Sequence, residues 1–110
     1  MVNTLQDIQT MLTGITGFAD KVAYEAFPND VAPDPPYIAW AETGTSNFAA
    51  DGTVYHEIHS ITVELYSKTR DLSTESAIES QFASNGLFWD KSIDFVGDEN
   101  IYVTTYTISI

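Results

Sequence analysis

The chain has 110 residues, 44% of them hydrophobic and 13% aromatic, which fits one domain with one core and is too apolar for a disordered chain. Four lysines and arginines stand against sixteen aspartates and glutamates, a net charge of −12. That balance argues against binding to phosphate backbones or anionic membranes, and suits a basic protein partner or a wall past which a polyanion slides. With no cysteine, disulfides, thiolate nucleophiles and Cys-type zinc sites are excluded together. Met1 to Leu12 lacks a basic start and is interrupted by Gln6, Asp7 and Gln9, so no signal peptide is expected. No run is long enough to span a membrane, and the expectation is a soluble protein made in a cytosol.

Asn3 or Thr4 is placed to cap a first helix in which Leu5, Ile8, Leu12 and Ile15 recur at helical spacing. Gly14 and Gly17 should end it. Lys21 to Phe27 reads as a strand. Pro28, Pro33, Pro35 and Pro36 then make an extended loop. Tyr37 to Thr43 is a second strand with Ile38 and Trp40 on one face, and Gly44 to Gly52 reads as a turn-rich loop carrying Phe48. Val54 to Ser67 is the longest strand signal, with Ile61, Val63 and Leu65 facing one way and Thr62, Glu64 and Tyr66 the other. Ile58 is out of phase, which predicts a bulge near His59 or burial of both faces there.

A second helix follows, with Asp71 or Ser73 as its cap, Glu75 placed to complement the dipole, and a narrow stripe of Leu72, Ala77 or Ile78, and Phe82. Asn85 and Gly86 should stop it. Leu87 to Phe95 reads as a strand interrupted near Ser92, Val96 to Asn100 as a turn, and Ile101 to Ile110 as a final strand with Tyr102, Tyr106, Ile108 and Ile110 on one parity. The expected fold is therefore α+β, a single domain over residues 1–110. It has a mixed or antiparallel sheet of about five strands with two helices packed on one side, in the order α-β-β-β-α-β-β.

Little in this sequence suits catalysis. His56 and His59 in HEIH are one residue closer than in the helical zinc signature, and on a strand they point to opposite faces. GDENIYVTT lacks the ligand pattern of a calcium loop. A pair of acids in a sugar-binding cleft is not expected in so short a chain. There is no nucleophile elbow, phosphate loop or dinucleotide fingerprint. No catalytic residue, metal or cofactor is expected. The aromatics carry more information: most should be core, but a sheet this small cannot bury both parities, and tyrosine or tryptophan left outside is favoured at protein interfaces. Phe48 and Tyr66 are the leading contact candidates.

VAYEAFP (Val22 to Pro28), PPYIAW (Pro35 to Trp40), NFAADGTVYHE (Asn47 to Glu57), ITVELYSKTRDLSTE (Ile61 to Glu75) and the closing IYVTTYTISI (Ile101 to Ile110) together carry a resemblance across nearly the whole chain. In pattern and order it resembles the tail-terminator (tail-completion) proteins of long, non-contractile-tailed phages and prophages. The resemblance implies an α+β structural protein of the virion, assembled in the host cytoplasm. Such a protein forms a homo-oligomeric ring, commonly a hexamer, that caps the tail tube and meets the head connector, with no catalytic residue or cofactor. It implies contact through the segment Thr43 to Val54 and the sheet edges. The candidate interface residues are Phe48, Asp51, Tyr55, Tyr66, Lys68 and Arg70. A ring packs head to tail through complementary patches, so Lys21, Lys68, Arg70 and Lys91 are candidates to meet the acidic surface of a neighbour. DNA would pass through the lumen without specific binding. Two alternatives remain: a neck or head-completion protein on the other side of the same joint, and an acidic inhibitor such as an immunity protein or DNA mimic.

Overall fold

A computed structural model describes residues 2–27, 31–50 and 53–110, and the side chains of all of these except residues 47–50 and 53–56. The elements run α1 (Leu5–Thr13), β1 (Val22–Tyr24), β2 (Tyr37–Ala50), β3 (Thr53–Ser67), α2 (Leu72–Ser84), β4 (Asp90–Val96) and β5 (Ile101–Ser109). They form one five-stranded mixed sheet in the order β1-β2-β3-β5-β4. β1 pairs with β2 in parallel, and every other pairing is antiparallel. The protein is of the α+β class, with the element order read from the sequence.

Helix α1 starts where Thr4, extended at φ −131°, accepts from the Asp7 N–H while the Asp7 carboxylate accepts from the Thr4 backbone. This capping box satisfies two end donors that the helix cannot. Its Asp7 carboxyl is held below the usual carboxylate range by hydrogen bonds from the Asn3 N–H and from Thr4. Helix α2 starts at Asp71, which accepts from both the N–H and the hydroxyl of Thr74. Both helices lie against one face of the sheet. Ile8, Leu12, Ile78 and Phe82 pack there with Ile38, Trp40, Ile61, Val63, Leu65, Tyr106 and Ile108 in one core. The alternation expected in β3 holds, because Ile61, Val63 and Leu65 are buried and Thr62, Glu64 and Tyr66 are not.

Four boundaries differ from the expectation. β1 stops at Tyr24, because Glu25 takes φ 67°, a left-handed conformation that side chains seldom adopt. β4 begins at Asp90 and runs through Ser92 without interruption. The bulge expected near His59 lies instead across the pair, where the register shifts between Glu42 and Gly44 of β2. The Thr43 hydroxyl there donates to the Ser60 carbonyl. The fourth difference is the largest. Residues 44–50 are not a loop but the second half of β2, paired rung by rung with β3 from Gly44–Ser60 to Ala50–Thr53.

Pairing with β1 ends near Trp40, whose carbonyl accepts from Glu25, and pairing with β5 ends at the His59–Ile110 rung. Beyond those points β2 and β3 continue as a two-stranded arm that no other described strand joins. Seven strand residues, from Thr53 to His59, span about 20 Å. The molecule measures 51 × 27 × 25 Å, and an arm of that length accounts for its elongation. Among the described residues no helix is long and apolar enough to cross a membrane.

Candidate protein-interaction site

Three surfaces stand out, and each follows from how the sheet ends. The first is the arm. At its root His59 stands between two carboxylates, with Nδ1 2.7 Å from Glu42 Oε2 and Nε2 3.3 Å from Glu57 Oε1. The HEIH histidine that is described is thus held by glutamates on the two strands of the arm. Among the described residues no group of three His, Cys, Asp or Glu side chains could hold a metal ion. Along the arm the register shifts again between Phe48 and Ala49, leaving Tyr55 opposite no residue of β2.

The second surface is the free side of β4. All seven of its residues are exposed. Phe95 is 52% exposed, and Ile93 and Val96 are also open to solvent. Phe95 leans on Tyr102, with ring centroids 4.8 Å apart. Just before the strand, Phe88 is 94% exposed. A strand edge offers a row of unpaired N–H and C=O groups, and here apolar side chains flank it.

The third surface lies on the sheet face turned away from the helices. Tyr37 of β2 sits opposite Tyr66 of β3, and their rings stack 4.9 Å apart at 13°. Phe27 meets Tyr37 edge-on at 5.4 Å. The left-handed Glu25, anchored by its N–H to the Trp40 carbonyl at 2.7 Å, turns the chain so that Phe27 reaches this face. Burial, helped by the neighbouring Glu64 charge, pushes the Tyr66 phenol up to about 12. Burial and the Glu99 charge likewise raise Tyr37.

The candidate residues divide unequally among these surfaces. Phe48 and Tyr55 lie on the arm, where the backbone alone is described, and Asp51 falls outside the described residues. Tyr66 is half-buried in the aromatic stack, and Lys68 is exposed. Arg70 is exposed and is also ion-paired within the chain. Its Nε and Nη2 donate to the two oxygens of Glu75 at 3.1 and 3.3 Å. Lys91 is engaged as well, at 3.1 Å from Glu75 and 2.8 Å from Glu79. Two of the four cations expected to meet a neighbouring subunit thus also hold acids of their own chain while staying exposed.

Glu75, expected to complement the helix dipole, is in the first turn and only 2% exposed, while Leu72, expected in the apolar stripe, is 63% exposed. The inward position is electrostatic because two cations converge on it. The Tyr106 hydroxyl completes the cluster by donating to Glu79 at 2.7 Å. With Glu75 and Glu79 neutralised in this way, α2 presents no row of free acids such as a DNA mimic would need.

Reasoning along the chain missed Phe27, Tyr37 and Glu25 as parts of a site. The parity of Tyr66 was the available signal. Its opposite number, Tyr37, depends on a register that sequence does not state. No protein-family model matches the chain, and no curated protein matches it significantly.

Proposed function

We propose that this chain is a structural assembly protein of a phage virion, a tail terminator that closes the tail tube as a homo-oligomeric ring and forms part of the head–tail joint. The observation that carries the proposal is the two-stranded arm. An isolated hairpin is marginally stable in water, and among the described residues no third strand pairs with either long edge of this one from the His59–Ile110 rung outward. Such an arm gains most when another protein surface covers it. Its residues 44–50, 53 and 54 fall within the segment Thr43 to Val54, through which the resemblance to tail terminators implies contact. The free β4 edge, with Phe95 and Phe88 beside it, supplies a second and different patch, as head-to-tail ring packing requires. The net charge of −12 suits a lumen that lets DNA pass without sticking.

Light scattering across a wide concentration range, alone and with the cognate tail-tube protein, tests the reading. The expected result is a closed ring of about six subunits, formed alone or templated by the tube. A variant in which residues 46–58 are replaced by a two-residue Asn-Gly turn should keep its fold by circular dichroism and lose assembly. A wild-type chain that stays monomeric under both conditions, or a shortened variant that assembles equally well, would overturn the proposal.

A further inference from the structure

On the sheet face turned away from the helices, a cleft of about 200 Å³ is lined chiefly by Glu25, Phe27, Tyr37, Ala39 and Tyr66. Its walls are rich in π-electrons, because the Tyr37–Tyr66 stack and the Phe27 ring meet there. Its rim is acidic. Glu25 lines it, and Glu64 lies two residues before Tyr66 on the same parity of β3, opposite Ala39. The charge of Glu99 is felt by both phenols. Among the described residues the cation that lies over an aromatic ring is Lys91, above Tyr106, on the helix side of the sheet. Among the described residues no lysine or arginine lines this cleft.

Aromatic faces and carboxylates both attract cations, and a planar guanidinium answers both at once. It stacks on a phenol ring while its N–H fork donates to a carboxylate. An ammonium satisfies the charge but not the stacking. The chain has a single arginine, Arg70, and Glu75 holds it through two hydrogen bonds on the other side of the molecule. The matching group must therefore come from a different protein. We propose that this cleft receives an arginine side chain of a partner protein, stacked against the Tyr37–Tyr66 pair with Glu25 and Glu64 as its acceptors. This goes beyond the assembly reading and stands whether or not the chain closes into a ring.

The test follows the ring NMR signals of Phe27, Tyr37 and Tyr66 in the intact protein during titration with N-acetyl-arginine methylamide. The citrulline and lysine counterparts serve as controls. Saturable shifts confined to these rings are expected with the arginine compound. The neutral citrulline compound should bind about tenfold more weakly, because it keeps the shape and loses the charge. Glu64→Gln should weaken arginine binding several-fold while circular dichroism shows the fold retained. Absence of saturable shifts, or equal binding of citrulline, would overturn the proposal. Lysine binding as tightly as arginine would also overturn it, pointing to a general cation patch that a second copy's Lys68 could fill.

Discussion

Glu75 shows how a single carboxylate acquires its role from partners far along the chain. Left unpaired at 2% exposure it would be costly, yet Arg70 and Lys91 both donate to it, and Lys91 also reaches Glu79. Replacing Lys91 by Met removes the shared cation. It should cost about 1 kcal/mol, toward the low end for a charged hydrogen bond because the lysine side chain is partly solvated. Urea denaturation of both proteins measures it. The cluster also sets a pH dependence. Burial pushes the Glu79 carboxyl up, but hydrogen bonds from Lys91 and Tyr106 outweigh it, and the net position is below the ordinary 4.5. The folded state therefore binds a proton at Glu79 less readily than the unfolded state. Its contribution is fully present above about pH 4.5 and is lost as pH falls through the lower folded value. The urea midpoint should drop in that acid range, and Glu79→Gln should flatten this part of the profile.

The helix starts illustrate the element scale. α2 presents Ile78 and Phe82 to the core but exposes Leu72, so its first turn rests on the cap more than on packing. Asp71 satisfies two Thr74 groups at once. Asp71→Ala should cost about 1 kcal/mol, seen as a fall in Tm of several degrees for a domain of this size. Ser73→Ala should be nearly neutral, since Ser73 does not cap. The arm is the contrasting element. Its long rungs are in place, but apart from the two bulges there is little in its described backbone to discourage pairing with another chain. Bulges are a common device for blunting exposed edges.

For the whole molecule, the dominant fact is a net charge of −12 on a body with two open strand regions. Like charge resists association, and salt screens that resistance. Self-association through the arm and the β4 edge should therefore strengthen as ionic strength rises, whereas arginine capture in the aromatic cleft should weaken. Phe95→Lys places a cation on the β4 edge and removes half-exposed apolar surface. It is expected to lower the assembled fraction by light scattering while leaving Tm within a degree or two, because Phe95 lies outside the core.

The sequence by itself determined the class and order of the fold. Periodicity is a property of near neighbours, so Ile8 with Leu12 and Ile78 with Phe82 mark helix faces, and Ile61, Val63 and Leu65 mark a strand face, before any tertiary contact is known. Composition likewise disposed of cysteine chemistry. What only the tertiary structure decided depends on pairing between distant segments. Gly44, Thr45 and Ser46 carry turn-like chemistry, yet the facing run from Thr53 to Ser60 gives them hydrogen-bond partners, and they extend β2. Glu75 went inward because Arg70 and Lys91 meet it from different elements. Tyr37 and Tyr66 became a stacked pair because the register of β2 on β3 set them opposite each other. Local propensity is weak, of the order of a fraction of a kcal/mol per residue, and hydrogen bonds and ion pairs formed across the sheet override it.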